Sequence, residues 1–235
     1  SNLKMMVVLI FFIIGSFIGS IILPHAINMG SIKPILIGNN FNLPFKLLIN
    51  ISMLIVAIYI FYKLSAKKID IALRDSLGIL TISILCLLCL LFSGYTWGIT
   101  FGFTVWGGKI WNLMGGELSS FTFWTWSRPS EALAKPILSE VSSLMNIGMI
   151  LGSLSFVALT RKIKVTNDLT IKILIISIIG GLLMGIGARL AFGCNIGAFL
   201  GGISSGSLHG WIWFIFAFFG GWVGFKIKNY LNLNI

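Results

Sequence analysis

Residues 187 to 211 read Gly-Ala-Arg-Leu-Ala-Phe-Gly-Cys-Asn-Ile-Gly-Ala-Phe-Leu-Gly-Gly-Ile-Ser-Ser-Gly-Ser-Leu-His-Gly-Trp, and just past Arg189 they enter a run, Leu190 to Phe225, of 36 residues without a formal charge. As a helix that run would be about 54 Å long against a hydrocarbon core of about 30 Å, so one straight span cannot hold it. The glycines at 193, 197, 201, 202, 206 and 210 are where the backbone can break. The expected arrangement is a span ending near Phe192, a short half-helix from Cys194 to about Ser204, and a new span from Leu208. Irregular backbone survives at membrane depth only where protein buries it or a cavity solvates it, so broken helices usually surround a site.

The rest of the composition agrees with a membrane setting. With 57% hydrophobic and 10% charged residues, 235 residues cannot make a water-soluble globule with an ordinary surface. A net charge of +11 raises the question of nucleic acid, but the charges stand between apolar runs instead of clustering, and topology explains them better. Neither nucleic acid nor a cofactor is expected. Cys86, Cys89 and Cys194 have no metal-site spacing with histidines, so no metal and no disulfide is assigned.

Along the chain, the first span is expected at Met5 to Leu23, with no small-x-small cleavage site before Pro24 to mark a removed signal. The start at Ser1-Asn2 reads as trimmed. Gly15 and Gly19, four apart, let a neighbouring helix come close. Residues 24 to 44 carry loop chemistry, and a second span runs from Leu47 to Tyr62. Ser76 to Gly108 is again uncharged and, at 33 residues, too long for one crossing. Split at Gly94, it gives a span from Ser76 to Ser93 and a short helix from Trp97 to Trp106, ended by Gly107-Gly108.

Residues 107 to 136, with two aromatic clusters and two prolines, are expected at the outer interface with tryptophans at headgroup depth. Span four, Val141 to Thr160, carries Ser142, Asn146, Met149 and Ser153 on one face, a polar stripe expected to point into the bundle. Spans five and six are expected at Ile173 to Phe192 and Leu208 to Phe225. The prediction is therefore an all-α polytopic integral membrane protein: a single membrane domain over 1–235, about six transmembrane helices and two short re-entrant half-helices. Eleven Lys or Arg (4, 63, 67, 68, 74, 161, 162, 164, 172, 226, 228) then lie on the cytoplasmic side and six (33, 46, 109, 128, 135, 189) on or near the outer one. That bias puts both termini in the cytoplasm.

A half-helix opening near Cys194 turns the free amides of Asn195, Ile196 and Gly197 toward its start, which favours an anion. Gly193, Gly197 and Gly201 leave one face bare, against which a solute or simply another helix could rest. Cys194 is either an inert small residue or a weak thiol donor suited to a soft sulfur acceptor. Arg189 either snorkels to the outer surface or concentrates anions at the entrance. Cys86 and Cys89 share a helix face and read as packing, and His209, near Trp211 and Trp213, as an interfacial anchor. No set of nucleophile, base and orienting group is present, and no phosphate loop, which argues against an enzyme and against coupling to ATP.

The segment from Gly187 through Trp211 resembles the signature of the YeeE/YedE sulfur-transport family. Supporting segments are Trp97-Gly98-Ile99-Thr100 with Trp106-Gly107-Gly108-Lys109, and the run from Ser142 to Gly152. The likeness covers residues 95 to 228, read as one family repeat, and leaves 1 to 95 as divergent N-terminal helices. It implies a membrane permease of two pseudo-symmetric halves, short helices meeting at a constriction, thiosulfate as the substrate class, and cysteines that pass the anion by hydrogen bonds from thiol to sulfur. Cys194 falls on one such position, with Gly193, Asn195, Ile196, Gly197, Trp97, Gly98, Thr100 and Asn146 as the expected binding set. Residues 1 to 95 hold no counterpart of the family's first-half Gly-Gly-Cys motif, and no cysteine stands in 97 to 106. A second half is therefore expected from another subunit, an identical copy or sequence beyond this chain, with membrane lipid and a cytoplasmic sulfur carrier protein as further partners.

Three readings follow: an inner-membrane permease component for a small inorganic sulfur anion, a non-transporting membrane subunit packed against a partner, or a membrane sulfurtransferase that forms a persulfide on Cys194.

Overall fold

The computed structural model describes residues 3–30, 35–37, 42–64, 73–160 and 170–231. Its helices are α1 (Leu3–Met29), α2 (Leu43–Leu64), α3 (Leu73–Ser93), α4 (Ile99–Leu113), α5 (Thr122–Thr125), α6 (Ser127–Ala134), α7 (Val141–Thr160), α8 (Ile171–Leu190), a π-helical turn (Asn195–Leu200) running straight into α9 (Gly201–Ser204), and α10 (Leu208–Tyr230). Among the described residues, five stretches are long and apolar enough to cross a membrane: Leu3–Met29, Ser76–Ser93, Val141–Thr160, Ile171–Ser204 and Leu208–Tyr230; Leu47–Ile60 is a shorter apolar helix. The chain is an all-α polytopic membrane protein. Lys33, Lys67, Lys68, Arg161, Lys162 and Lys164, which carry much of the expected charge bias, lie outside the described residues. The Lys172 ammonium donates to the Leu231 carbonyl at 2.6 Å, so the start of α8 and the end of α10 share one end of the bundle.

The packed centre is α1 against α8, with α4 wedged between α1 and α7. Glycine makes this approach possible on both helices: a Cβ on Gly15 would strike the Leu182 backbone, and one on Gly181 would lie 2.7 Å from the Val8 carbonyl. Ser16 Oγ and Thr104 Oγ1, 3.2 Å apart, tie α1 to α4, and Thr104 also donates to the Thr100 carbonyl at 2.8 Å. Glu140 caps α7, its two carboxylate oxygens accepting from the Ser142 and Ser143 amides at 3.0 and 2.6 Å. The flanking helices bury little. Ser76–Ser93 of α3 presents no buried residue, which leaves a largely apolar surface for lipid or a partner.

Four expectations are corrected. First, α1 continues through Pro24 to Met29, with Leu23 and Pro24 buried, where a loop was expected from residue 24. Second, α4 does not end at Gly107-Gly108 but runs through both to Leu113. These glycines are contact surfaces: a Cβ on Gly107 would lie 2.8 Å from the Phe17 Cβ, and one on Gly108 would strike the Trp124 ring. Third, the aromatics of 107 to 136 are not all interfacial, since Phe123 and Trp124 are buried with Phe17, Leu23, Phe101 and Val105 in the main apolar core. Fourth, the polar stripe of α7 points inward only at its start: Ser142, Ser143 and Asn146 are buried, whereas Met149 and Ser153 are exposed.

Candidate functional site

Two chain breaks meet at one place. After α3, Gly94 turns the backbone at φ 72°, and residues 95–98 lead without regular structure into the first turn of α4. After α8, the amides of Phe192 and Gly193 fold back onto the carbonyls of Arg189 and Ala188 at 3.1 and 2.8 Å, the paired closure of a Schellman motif. That closure needs a left-handed residue, and the position holds Phe192, at φ 56°, followed by Gly193 at φ 149°. A bulky side chain there is strained, a condition that persists only where the surroundings over-determine it. From Cys194 the chain re-enters a helix, and the amides of Ala198 and Phe199 both point at the Cys194 carbonyl, at 2.8 and 3.4 Å. This doubled acceptance is the source of the π turn, a deviation frequent at functional sites.

The breaks are held from outside. His209 Nε2 is 2.9 Å from the Ala191 carbonyl, with its ring edge-on to Phe192 at 6.0 Å. Segment 35–37 pairs antiparallel with the turn before α10, Ile37 N–H donating to Gly206 at 2.7 Å and Leu208 N–H to Ile35 at 3.0 Å. His209, expected as an interfacial anchor, therefore fastens the broken end of α8.

Between the breaks lies a cavity of about 250 Å³. Cys194, Gly193, Gly197 and Arg189 line one side, and Trp97, Gly98 and Thr100 the other. Asn195 and Ile196 begin the π turn at the margin and do not line it. Asn146 stands behind the site: fully buried, it donates from Nδ2 to the Ile99 carbonyl at 2.9 Å and holds the first turn of α4 against α7. Sequence reasoning missed Thr96, Phe192 and Arg128 as lining residues.

The polar atoms of the lining are donors in search of an acceptor. Arg189 Nε, Trp97 Nε1 and Thr100 Oγ1 are all buried without a hydrogen-bond partner. Leaving such groups unpaired costs about 1–3 kcal/mol each, and all three belong to residues that line this one cavity. Arg189, 8% exposed, does not snorkel; its guanidinium stacks over Phe123 at 4.8 Å. Arg128 and Arg189 bring two positive charges into the lining, which contains no carboxylate. Among the described residues, no group of His, Cys, Asp and Glu could hold a metal.

Fold and cavity thus define a polytopic membrane protein with a polar, cation-lined pocket where two helices are broken. The chain belongs to the sulphur-transport family, whose model matches residues 1–223, and that family is one of transporters. It is 33% identical over 132 residues to the probable transporter YedE of Escherichia coli strain K12, covering 56% of this chain and 32% of that protein. The Salmonella typhimurium strain LT2 YedE is 31% identical over 132 residues, with the same coverage. The thiosulfate transporter TsuA of Spirochaeta thermophila is 57% identical over 44 residues, 19% of this chain and 13% of that protein. The aligned part is about a third of the length of the YedE relatives. No solved structure matches.

Proposed function

We propose that this chain is a permease component that moves a small inorganic sulfur anion, thiosulfate first among the candidates, through the cavity at Cys194. The carrying observation is that Cys194 and three residues that carry buried, unpartnered polar atoms, Arg189, Trp97 and Thr100, line the same space. Thiosulfate has two chemically different ends. Its oxygens suit the hard donors of Arg189, Trp97 and Thr100, and its terminal sulfur suits the weak, soft donor of Cys194. The amides opening the π turn at Asn195, Ile196 and Gly197 add positive potential on the Cys194 side, and Trp97 to Phe101, the part of the expected 97–103 wall that lines the cavity, stand opposite. The name of the Spirochaeta relative supports the choice of substrate.

On this reading the chain sits in the inner membrane with both termini cytoplasmic and passes its substrate inward to a sulfur carrier protein. A second half, from another subunit or an identical copy, completes the path beside the unburied face of α3. The test is uptake of radiolabelled thiosulfate into liposomes holding the purified chain, alone and with each candidate second half. Cys194→Ala is expected to lose most of the uptake shown by the wild type. Uptake undiminished in that variant removes the role of the thiol, and no uptake in any subunit combination favours a scaffold.

A further inference from the structure

We infer that Arg128 is the second cation of the cavity and that, with Arg189, it selects a dianion, holding its oxyanion end and leaving the soft end of the ligand to Cys194. The inference rests on the sulfur-anion reading and adds to it the charge state of what is bound. Arg128 arrives from α6 and Arg189 from α8, and the ring of Phe101 lies between them: the Arg128 guanidinium is 4.6 Å from its centroid and the Arg189 guanidinium 6.0 Å. Arg128 also stacks on Tyr95 at 4.7 Å. Stacking occupies the faces of a guanidinium and leaves its in-plane N–H groups for an anion.

Independent of these stacks, two side chains more than nine-tenths buried, Arg189 and Thr100, belong to the lining of the same cavity, and each carries a buried polar atom without a partner. The carboxylates near Arg128 do not answer its charge in the cavity. Glu131 and Glu140 line a separate recess on its other side, and both oxygens of Glu140 are taken by the α7 amides. Arg189 is buried and Arg128 exposed, and the two guanidinium charges repel each other until an anion enters; a dianion answers both where a monoanion answers one.

The experiment is calorimetric titration of the purified full chain with three probes: thiosulfate; methanethiosulfonate, which keeps the terminal sulfur but has one charge fewer; and sulfate, which keeps the charge but lacks that sulfur. The wild type is expected to prefer thiosulfate to methanethiosulfonate by at least about tenfold, the scale of one charge-assisted contact. Arg128→Gln is expected to close that gap by weakening thiosulfate and sulfate while sparing methanethiosulfonate, and Cys194→Ala to leave it open. A wild type without the gap overturns the inference whether or not any variant folds, as does an Arg128→Gln protein that weakens all three probes alike or none. Wild-type preference for thiosulfate over sulfate, with Arg128→Gln unchanged, overturns this inference and leaves the sulfur-anion reading standing. Equal wild-type binding of thiosulfate and sulfate, both weakened in Arg128→Gln, sinks only the sulfur reading.

Discussion

Arg189 is set directly against Gly19: a Cβ built on Gly19 would lie 2.8 Å from the Cβ of Arg189. The missing side chain on α1 is what lets α8 carry a guanidinium into the protein, so a helix-packing glycine and a cavity-lining cation form one device.

Gly19→Ala is expected to force α1 and α8 apart at this level, at a cost of about 1–3 kcal/mol for overpacking. It also shifts Arg189, so thiosulfate affinity falls along with the thermal midpoint in detergent. Wild-type values for both would show that the close approach is not needed.

The two left-handed positions at the end of α8 should differ in what a substitution costs. Phe192→Gly removes backbone strain while giving up a side chain that is 54% exposed, and should cost less than about 1 kcal/mol. Gly193→Ala adds a Cβ 2.8 Å from the Gly197 Cα at φ 149° and should cost more than about 2 kcal/mol. Thermal unfolding of the two variants checks the order, and the reverse order would mean that the break is not built as described.

His209→Ala should loosen the same break by removing the 2.9 Å contact to the Ala191 carbonyl, at about 1 kcal/mol. Hydrogen exchange at 191–197 reads this directly. Faster exchange there than in α1 is the expected result, and unchanged exchange would reduce His209 to a bystander.

If Cys194 acts as a hydrogen-bond donor, its mass should be unaltered after exposure to thiosulfate. A persulfide on Cys194, detected by intact-mass and peptide measurement, would instead support the sulfurtransferase reading.

How much of this was legible beforehand depended on whether the cause was local. The break at 191–194 could be read because an uncharged run of that length overshoots the bilayer and glycine marks where it yields. Gly15 and Gly19 could be read as a contact face for the same kind of reason. Gly107-Gly108 was misread as a stop, because what those glycines accommodate, Phe17 and Trp124, comes from elsewhere in the chain. Trp124 itself could have sat at headgroup depth or in the core, and only its neighbours decide. Arg128 carried no local signal at all: its place is set by Tyr95 and Phe101, about thirty residues away and on other elements. Asn146 was rightly read as inward-facing, but its partner, the Ile99 carbonyl, makes it a support for α4 and not part of the lining.

The central claim is that the Cys194 thiol stands in a water-reachable cavity that an anion fills. The direct measurement is modification of Cys194 by a small, water-soluble thiol reagent in a protein with Cys86 and Cys89 replaced by alanine, with and without thiosulfate. Modification that thiosulfate suppresses, and chloride at equal ionic strength does not, is the predicted result. A Cys194 that never reacts, or that reacts at the same rate with and without thiosulfate, would contradict it.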